Sequence, residues 1–221
     1  MNSLENTKEI KVQRFNLGHM IKNLLLYFLL LGWTVLIFSV SIPLDRLSAN
    51  IPTIVTDSIV GTSLTLLNLI IIYKLFGKRY SYLFRVDPLK QLSTYAWIFG
   101  TLTLVVICLV LFTEYTGIHN YSSNRSYVQF GFLFLQVVLL VPIVEELIFR
   151  GFLLLIPHPK LKYLMFVVST LSFAIIHENP EVILWLSLGF GTLAIRFNNL
   201  WVPIIAHMLW NLFASFFAFT L

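Results

Sequence analysis

The chain has 221 residues, of which 58% are hydrophobic and only 11% are charged, and its mean hydropathy is +0.85. Because soluble globular chains average about 25% charged residues, this composition excludes a soluble domain and predicts an all-α membrane protein. The single cysteine, Cys108, excludes an intrachain disulfide and a thiolate zinc cluster. The formal net charge is +5, but the basic residues lie between apolar segments, so we expect no nucleic-acid partner.

Seven apolar segments are candidates for crossing the membrane, since a helix needs about 20 residues to span the hydrocarbon. They cover residues 24–42, 58–75, 95–113, 127–156, 161–177, 182–197 and 200–221. A polar tail at 1–20 precedes them. We therefore expect a polytopic bundle of about seven transmembrane helices, in which residues 21–126 carry no motif and residues 127–221 form the functional region.

The basic residues predict the orientation of these helices. Starting from the N-terminal flank, alternate connections hold thirteen of the fifteen Lys and Arg residues, and the remaining connections hold only Arg46 and Arg125. Positively charged loops stay on the cytoplasmic side. The pattern predicts a cytoplasmic N-terminus in an integral, multi-pass protein.

Ionisable residues inside the predicted spans mark candidate functional positions, because burying them in a membrane is costly. Glu145 and Glu146 follow an apolar run that continues past them, and His177 closes the next run. His207 lies within the last span, with Asn211 one helical turn later. Three separate helices thus supply these polar groups.

Helical spacing groups the polar residues further. Glu146 and Arg150 are four residues apart, which places them on one face and allows an ion pair. The neighbouring Glu145 is turned about 100° away and is available to a cavity. A hairpin at Pro157 and Pro159 would bring Glu145 and His177 to similar depth, but the spacing leaves open whether His207 reaches the same site.

Two chemistries fit a carboxylate, two imidazoles and a carboxamide in such a site. In the first, the carboxylate takes a proton from water, and an imidazole and an amide stabilise the oxyanion during hydrolysis of an amide. In the second, Glu145, His177 and His207 bind zinc, with water as the fourth ligand. The composition does not choose between them.

Three short sequences resemble the motifs of one family. EELIFRG at 145–151 is similar to the EExxFRG motif of the CAAX prenyl endopeptidase and bacteriocin-processing (CPBP, Abi) family of intramembrane proteases. FAIIH at 173–177 matches its FxxxH motif, and HMLWN at 207–211 matches its HxxxN motif. All three occur in the family's order, each on a predicted span.

The resemblance implies a glutamate-dependent endopeptidase that cleaves near or within the bilayer. Glu145 would be the general base, and His177 would help to hold the water. His207 and Asn211 would form the oxyanion site. Arg150 would pair with Glu146 to hold the glutamate helix. No cofactor is required on this mechanism, although zinc is an alternative because members have also been described as metalloproteases.

The resemblance also implies a place and a substrate class. Bacterial members are linked to peptide export, bacteriocin processing and self-immunity, and eukaryotic members trim prenylated CAAX ends. A chain of this length resembles the bacterial kind, so we expect a bacterial cytoplasmic membrane and a membrane-associated peptide or protein as substrate. Phe173 is expected to pack in the core.

Two other function classes remain open from the residues alone. A non-catalytic immunity or scaffold protein could bind a partner through the same fold. An ion-coupled transporter could use buried Glu and His as a relay, but the chain shows no internal repeat.

Overall fold

The computed structural model of the chain describes residues 53–78, 80–116, 134–156, 159–177 and 179–220, with scattered positions between 18 and 36. Within those ranges it leaves out the side chains of residues 53–59, 75, 76, 113, 159 and 216–220. Almost all of the predicted tail at 1–20 lies outside the described residues. Most of the predicted first span at 24–42 does so as well.

Six long helices make up most of the described chain, and short 3₁₀ turns lie in the connections. The third long helix, α3, is continuous through three consecutive segments, Phe134–Leu140, Val141–Glu146 and Leu147–Leu155. The other long helices are α1 (Thr53–Phe76), α2 (Leu92–Thr116), α4 (Lys162–Ile175), α5 (Pro180–Phe197) and α6 (Trp201–Thr220). The 3₁₀ turns are Ser81–Phe84, Asp87–Lys90 and Pro159–Leu161. Every described element is helical, which confirms the all-α class.

Each predicted span after the first coincides with one of these helices. Two stretches, Leu92–Phe112 and Pro180–Phe197, are long and apolar enough to cross a bilayer. Shorter apolar stretches are Val60–Lys74, Lys162–Ile175 and Trp201–Ser215. The structure thus establishes an apolar helical bundle with two clear candidates for crossing, and the seven crossings and the side of the N-terminus stay predictions.

Helix α3 lies at the centre of the bundle and packs against α1, α4, α5 and α6. One core cluster surrounds it and includes Ile148, Leu153 and Phe173. A second cluster, which includes Leu186 and Val202, joins α2 to α5 and α6. Because α3 packs against four helices, a polar group on its buried faces needs a partner within the bundle.

Two connections lie at the same end of the bundle, residues 80–91 and 198–200. Asn198 ends α5 in the left-handed conformation, with a φ of 45°. The side-chain amide of Asn199 then donates to the carbonyl of Arg85 at 2.8 Å, and the indole N–H of Trp201 donates to the carbonyl of Phe84 at 3.0 Å. These bonds fix the start of α6, and they therefore fix where His207 lies.

Candidate active site

The backbone of α3 departs from a regular α-helix on both sides of the glutamates. Phe134–Leu140 and Leu147–Leu155 have π-helical, i to i+5 geometry, and only Val141–Glu146 between them is α-helical. In the first π-helical register the carbonyl of Val137 would pair with the N–H of residue 142, but Pro142 has none. The amide of Asn211 donates to this carbonyl at 2.9 Å instead. Wide turns of this kind often occur at functional sites.

Glu146 and Arg150 form the ion pair that the sequence predicts. The Nη1 atom of Arg150 lies 3.2 Å from Oε1 of Glu146, and both side chains have no exposed surface. The angle at Nη1 lies outside hydrogen-bond geometry, so charge attraction holds the two groups together. A buried carboxylate needs such compensation, because an isolated charge in an apolar interior costs several kcal/mol.

Helix α5 completes the surroundings of Arg150. Its Nη2 atom donates to the hydroxyl of Ser187 at 2.9 Å and to the carbonyl of the same residue at 3.2 Å. The guanidinium also lies 4.3 Å from the centre of the Phe173 ring, as a cation–π contact requires. Arg150 therefore joins α3, α4 and α5 at one buried point.

His207 lies between the two glutamates. Its Nδ1–H donates to Oε1 of Glu146 at 3.0 Å, because a carboxylate accepts. Its Nε2 then faces Glu145, 3.6 Å from Oε2. The Phe190 ring is stacked on the imidazole at 4.7 Å between ring centres, with 24° between the planes. The imidazole is thus oriented by a buried carboxylate on one side and an aromatic ring on its face.

His177 approaches Glu145 from the other side. Its Nδ1–H donates to the carbonyl of Phe173 at 2.7 Å, since a backbone carbonyl only accepts. Its Nε2 lies 3.9 Å from Oε1 of Glu145. Both imidazoles therefore use Nδ1 to fix their orientation and present Nε2 to the same carboxylate. Glu145, His177 and His207 thus lie at the same depth in the bundle. Helical spacing alone does not determine this for His207.

The two adjacent glutamates have different environments. The side chain of Glu145 is 22% exposed, whereas that of Glu146 has no exposed surface. Glu145 thus keeps part of its surface exposed, and His177 beside it is 28% exposed. Glu146 is enclosed by Arg150 and His207. The geometry separates an accessible carboxylate from a structural one.

The sequence predicts less about the contacts of Phe173 and Asn211 than about those of the other site residues. Phe173 is 1% exposed and packs edge-on against Phe149 at 5.1 Å between ring centres, as expected for a core residue. Asn211 lies one turn after His207, and one of its amide hydrogens bonds to Val137. Among the described residues, Val137 is the only partner of the Asn211 amide group in the structure.

Ser187 and Phe190 are site residues that the sequence analysis missed. Both lie on α5, which carries no motif. The weak signal was a hydroxyl within an apolar span. Such a hydroxyl usually bonds a carbonyl of its own helix, as Thr192 does with Leu188. Only the packing of α5 against α3 shows that Ser187 binds Arg150.

The three residues proposed as zinc ligands do not have the spacing of a metal site. Ligand atoms of a tetrahedral zinc ion, each about 2.0–2.1 Å from the metal, lie about 3.3 Å apart. The nitrogen–oxygen distances from His207 and His177 to Glu145 are 3.6 and 3.9 Å. In the part of the chain that the structure describes, no group of three His, Cys, Asp or Glu residues is placed to hold a metal.

The site therefore combines a partly exposed carboxylate with two oriented imidazoles inside an apolar helical bundle. Residues 127–213 match the family described as type II CAAX prenyl endopeptidase Rce1-like. The match includes all three motifs and supports the family that the motifs predicted. The family is membrane-embedded and implies protease activity. Comparisons with curated proteins and with solved structures found no match.

Proposed function

We propose that the protein is an intramembrane endopeptidase that hydrolyses a peptide bond of a membrane-associated peptide or protein, with Glu145 as the general base. The observation that carries this proposal is the carboxylate of Glu145 between Nε2 of His207 and Nε2 of His177, at 3.6 and 3.9 Å. A water molecule between these groups would have an acceptor for its proton and a second polar atom to hold it.

The hydrolytic step follows from these positions. The water oxygen attacks the scissile carbonyl carbon while its proton passes to Glu145. The carbonyl oxygen becomes an oxyanion, for which Nε2 of His207, when protonated, and the second amide hydrogen of Asn211 are the donors. The C–N bond then breaks, and Glu145 returns the proton to the leaving amine.

Glu146 and Arg150 position the reacting groups and take no part in proton transfer. The bond from Nδ1–H of His207 to Glu146 keeps Nε2 turned towards Glu145. Arg150 balances the charge of Glu146 and is itself held by Ser187. This division of roles explains why two adjacent glutamates are needed: one reacts, and the other orients.

There are two hypotheses for the substrate: a prenylated CAAX end, or a membrane-associated peptide without a prenyl group. The full chain, purified in detergent, is incubated with two probes: a farnesylated peptide ending in Cys and three further residues, and an apolar peptide without the lipid. We propose the second class, with roles in bacteriocin processing or self-immunity. Cleavage of the farnesylated probe alone would instead place the chain with the CAAX-trimming members.

The catalytic roles are tested with alanine variants of Glu145, His177 and His207 against the probe that the natural chain cleaves. Each variant should lose at least about 100-fold in rate. Glu114→Ala, an exposed glutamate near the end of α2, is the matched control and should cleave normally. If the Glu145→Ala variant keeps full biological activity, the protein acts as a non-catalytic immunity or scaffold protein and the protease proposal fails.

Metal dependence has a separate test. After exhaustive chelation, with bound metal measured by elemental analysis, we expect the cleavage rate to be unchanged. A rate that falls with chelation and returns with zinc would overturn the glutamate-only mechanism and assign Glu145, His177 and His207 as ligands.

A further inference from the structure

A second cavity lies away from the glutamates, at the end of the bundle where α1 ends and α6 begins. Its volume is about 540 Å³, which is within the roughly 300–1,000 Å³ typical of ligand sites. The buried part of its wall is formed by Ile72, Leu83, Phe152 and Leu200. The lining is almost entirely apolar, so a hydrocarbon fits it better than a polar ligand.

The cavity is separate from the candidate active site. Helix α3 lines it with Ile143, Leu147 and Gly151, which recur every four residues along one face. Glu145, the nearest reacting group along the chain, is not among the lining residues. The occupant of this cavity is therefore not the peptide segment that would be cleaved.

Basic residues adjoin the mouth of the cavity. Lys74 and Lys78 are the neighbours of the lining residues Tyr73 and Gly77, and both lysines are exposed. Arg85, also exposed, lies between two further lining residues, Phe84 and Val86. The apolar lining of the cavity is thus flanked in the chain by exposed basic residues.

The acidic residue of the same connection does not cancel this charge. Asp87 follows Val86, but its carboxylate lies 3.6 Å from Nζ of Lys90. Among the described residues of this connection, Lys78 and Arg85 are thereby left as the cations that directly follow or precede a lining residue without an acidic partner. An anionic group that stays at the surface while its hydrocarbon enters the cavity would satisfy both features.

We propose that this cavity binds one acyl chain of an anionic phospholipid, whose headgroup is held by Lys78 and Arg85. Basic pockets between membrane helices are suited to anionic headgroups, and each Lys or Arg contributes about a fivefold gain in affinity. Each buried methylene of the acyl chain adds hydrophobic stabilisation. The proposal does not depend on the protease activity, because the lining residues do not include the proposed catalytic groups.

The test measures lipid binding to the full chain, delipidated in detergent, by native mass spectrometry and thermal unfolding. The probes are phosphatidylglycerol and phosphatidylcholine with identical acyl chains. We expect one retained phosphatidylglycerol per chain, bound about 20-fold more tightly than phosphatidylcholine, and a higher Tm with phosphatidylglycerol. The Glu145→Gln variant should bind it equally well, which keeps this test independent of catalysis.

Variants then separate the acyl chain from the headgroup. Val86→Trp, which fills the mouth, should weaken both lipids at least tenfold, whereas Val86→Ala should not. Lys78→Gln combined with Arg85→Gln should remove the preference for phosphatidylglycerol and leave phosphatidylcholine binding unchanged. Lys162→Gln, which removes a charge on α4, is the control for nonspecific electrostatics.

Several outcomes would overturn the proposal. Equal affinity for the two lipids, an unaffected Val86→Trp variant, or a preference that survives in the double variant would each do so. A continuous series of many bound lipids with no single retained molecule would show ordinary bilayer contact. A peptide or a second copy of the chain in the cavity, identified by its mass, would assign a different occupant.

Discussion

Helices α2 and α3 are both apolar, but the structure uses them in different ways. Within the window of α2 that qualifies as a membrane crossing, only 11% of residues are buried, and among the described long helices α2 packs mainly on α5 and α6. Helix α3 packs against four other long helices and carries Glu145, Glu146 and Arg150. A helix with little buried surface offers no enclosed position for a charge, whereas α3 can hold charges because its neighbours neutralise them.

This difference shows that hydropathy alone does not indicate which helix carries the candidate site. Both α2 and α3 lie in apolar segments that the sequence predicts to cross the membrane, so hydropathy does not distinguish them. Yet α3 is the helix on which the candidate site is built. In this bundle the departures from apolar composition, and the π-helical turns on either side of the glutamates, locate the chemistry.

The largest expected effect is on catalysis by α3. Replacing Glu145 by glutamine keeps the volume of the side chain and removes the acceptor for the proton of water. We expect the cleavage rate to fall by about 10²–10⁴-fold, with Tm within about 2 °C of the natural chain, because Glu145 is partly exposed. A large fall in Tm would show that Glu145, like its neighbour, is structural.

The next effect is on stability at the same helix. Arg150→Met leaves the buried carboxylate of Glu146 without its cation, which should cost about 3–5 kcal/mol in the free energy of unfolding. Adding Glu146→Gln to this variant should recover part of the loss, because no uncompensated charge remains. Reversible unfolding in detergent measures both. If the double variant is no more stable than Arg150→Met, the ion pair is not what stabilises α3.

Much of this arrangement could be predicted from the sequence. The charge content gave the membrane class, and the i, i+4 spacing of Glu146 and Arg150 gave their ion pair, which forms at 3.2 Å. The three motifs gave the family, which the match over residues 127–213 supports. Each of these depends on residues close in the chain or on overall composition, which a single sequence contains.

The remaining features depend on packing between distant segments. Ser187 binds Arg150 across 37 positions, and Asn211 binds the carbonyl of Val137 across 74. The second contact exists because Pro142 leaves that carbonyl without an N–H in the π-helical register. Periodicity does not reveal such a register, because π-helical turns have no sequence signature as clear as a helix cap.

A smaller effect is expected where α5 supports α3. Ser187→Ala removes the hydroxyl that accepts from Arg150 at 2.9 Å but keeps the carbonyl contact at 3.2 Å. A hydrogen bond to a charged group is worth about 1.5–3 kcal/mol, and we expect the unfolding free energy to fall by up to this amount. Ser63→Ala, at an exposed position of α1, is the matched control. If the two variants lose the same unfolding free energy, the hydroxyl of Ser187 does not stabilise Arg150 and Ser187 is not part of the site.

The smallest effect is expected on α2. Leu104 is 61% exposed, and we expect lipid to cover this face of α2. Leu104→Ala should change the free energy of unfolding in lipid nanodiscs by no more than about 0.5 kcal/mol, because lipid tails fill the space that the shorter side chain leaves. Within the protein core the same substitution costs about 2–5 kcal/mol, since a cavity remains. A loss above about 1 kcal/mol at Leu104 would therefore mean that protein covers this face of α2, and the contrast with α3 would no longer be one between lipid and protein neighbours.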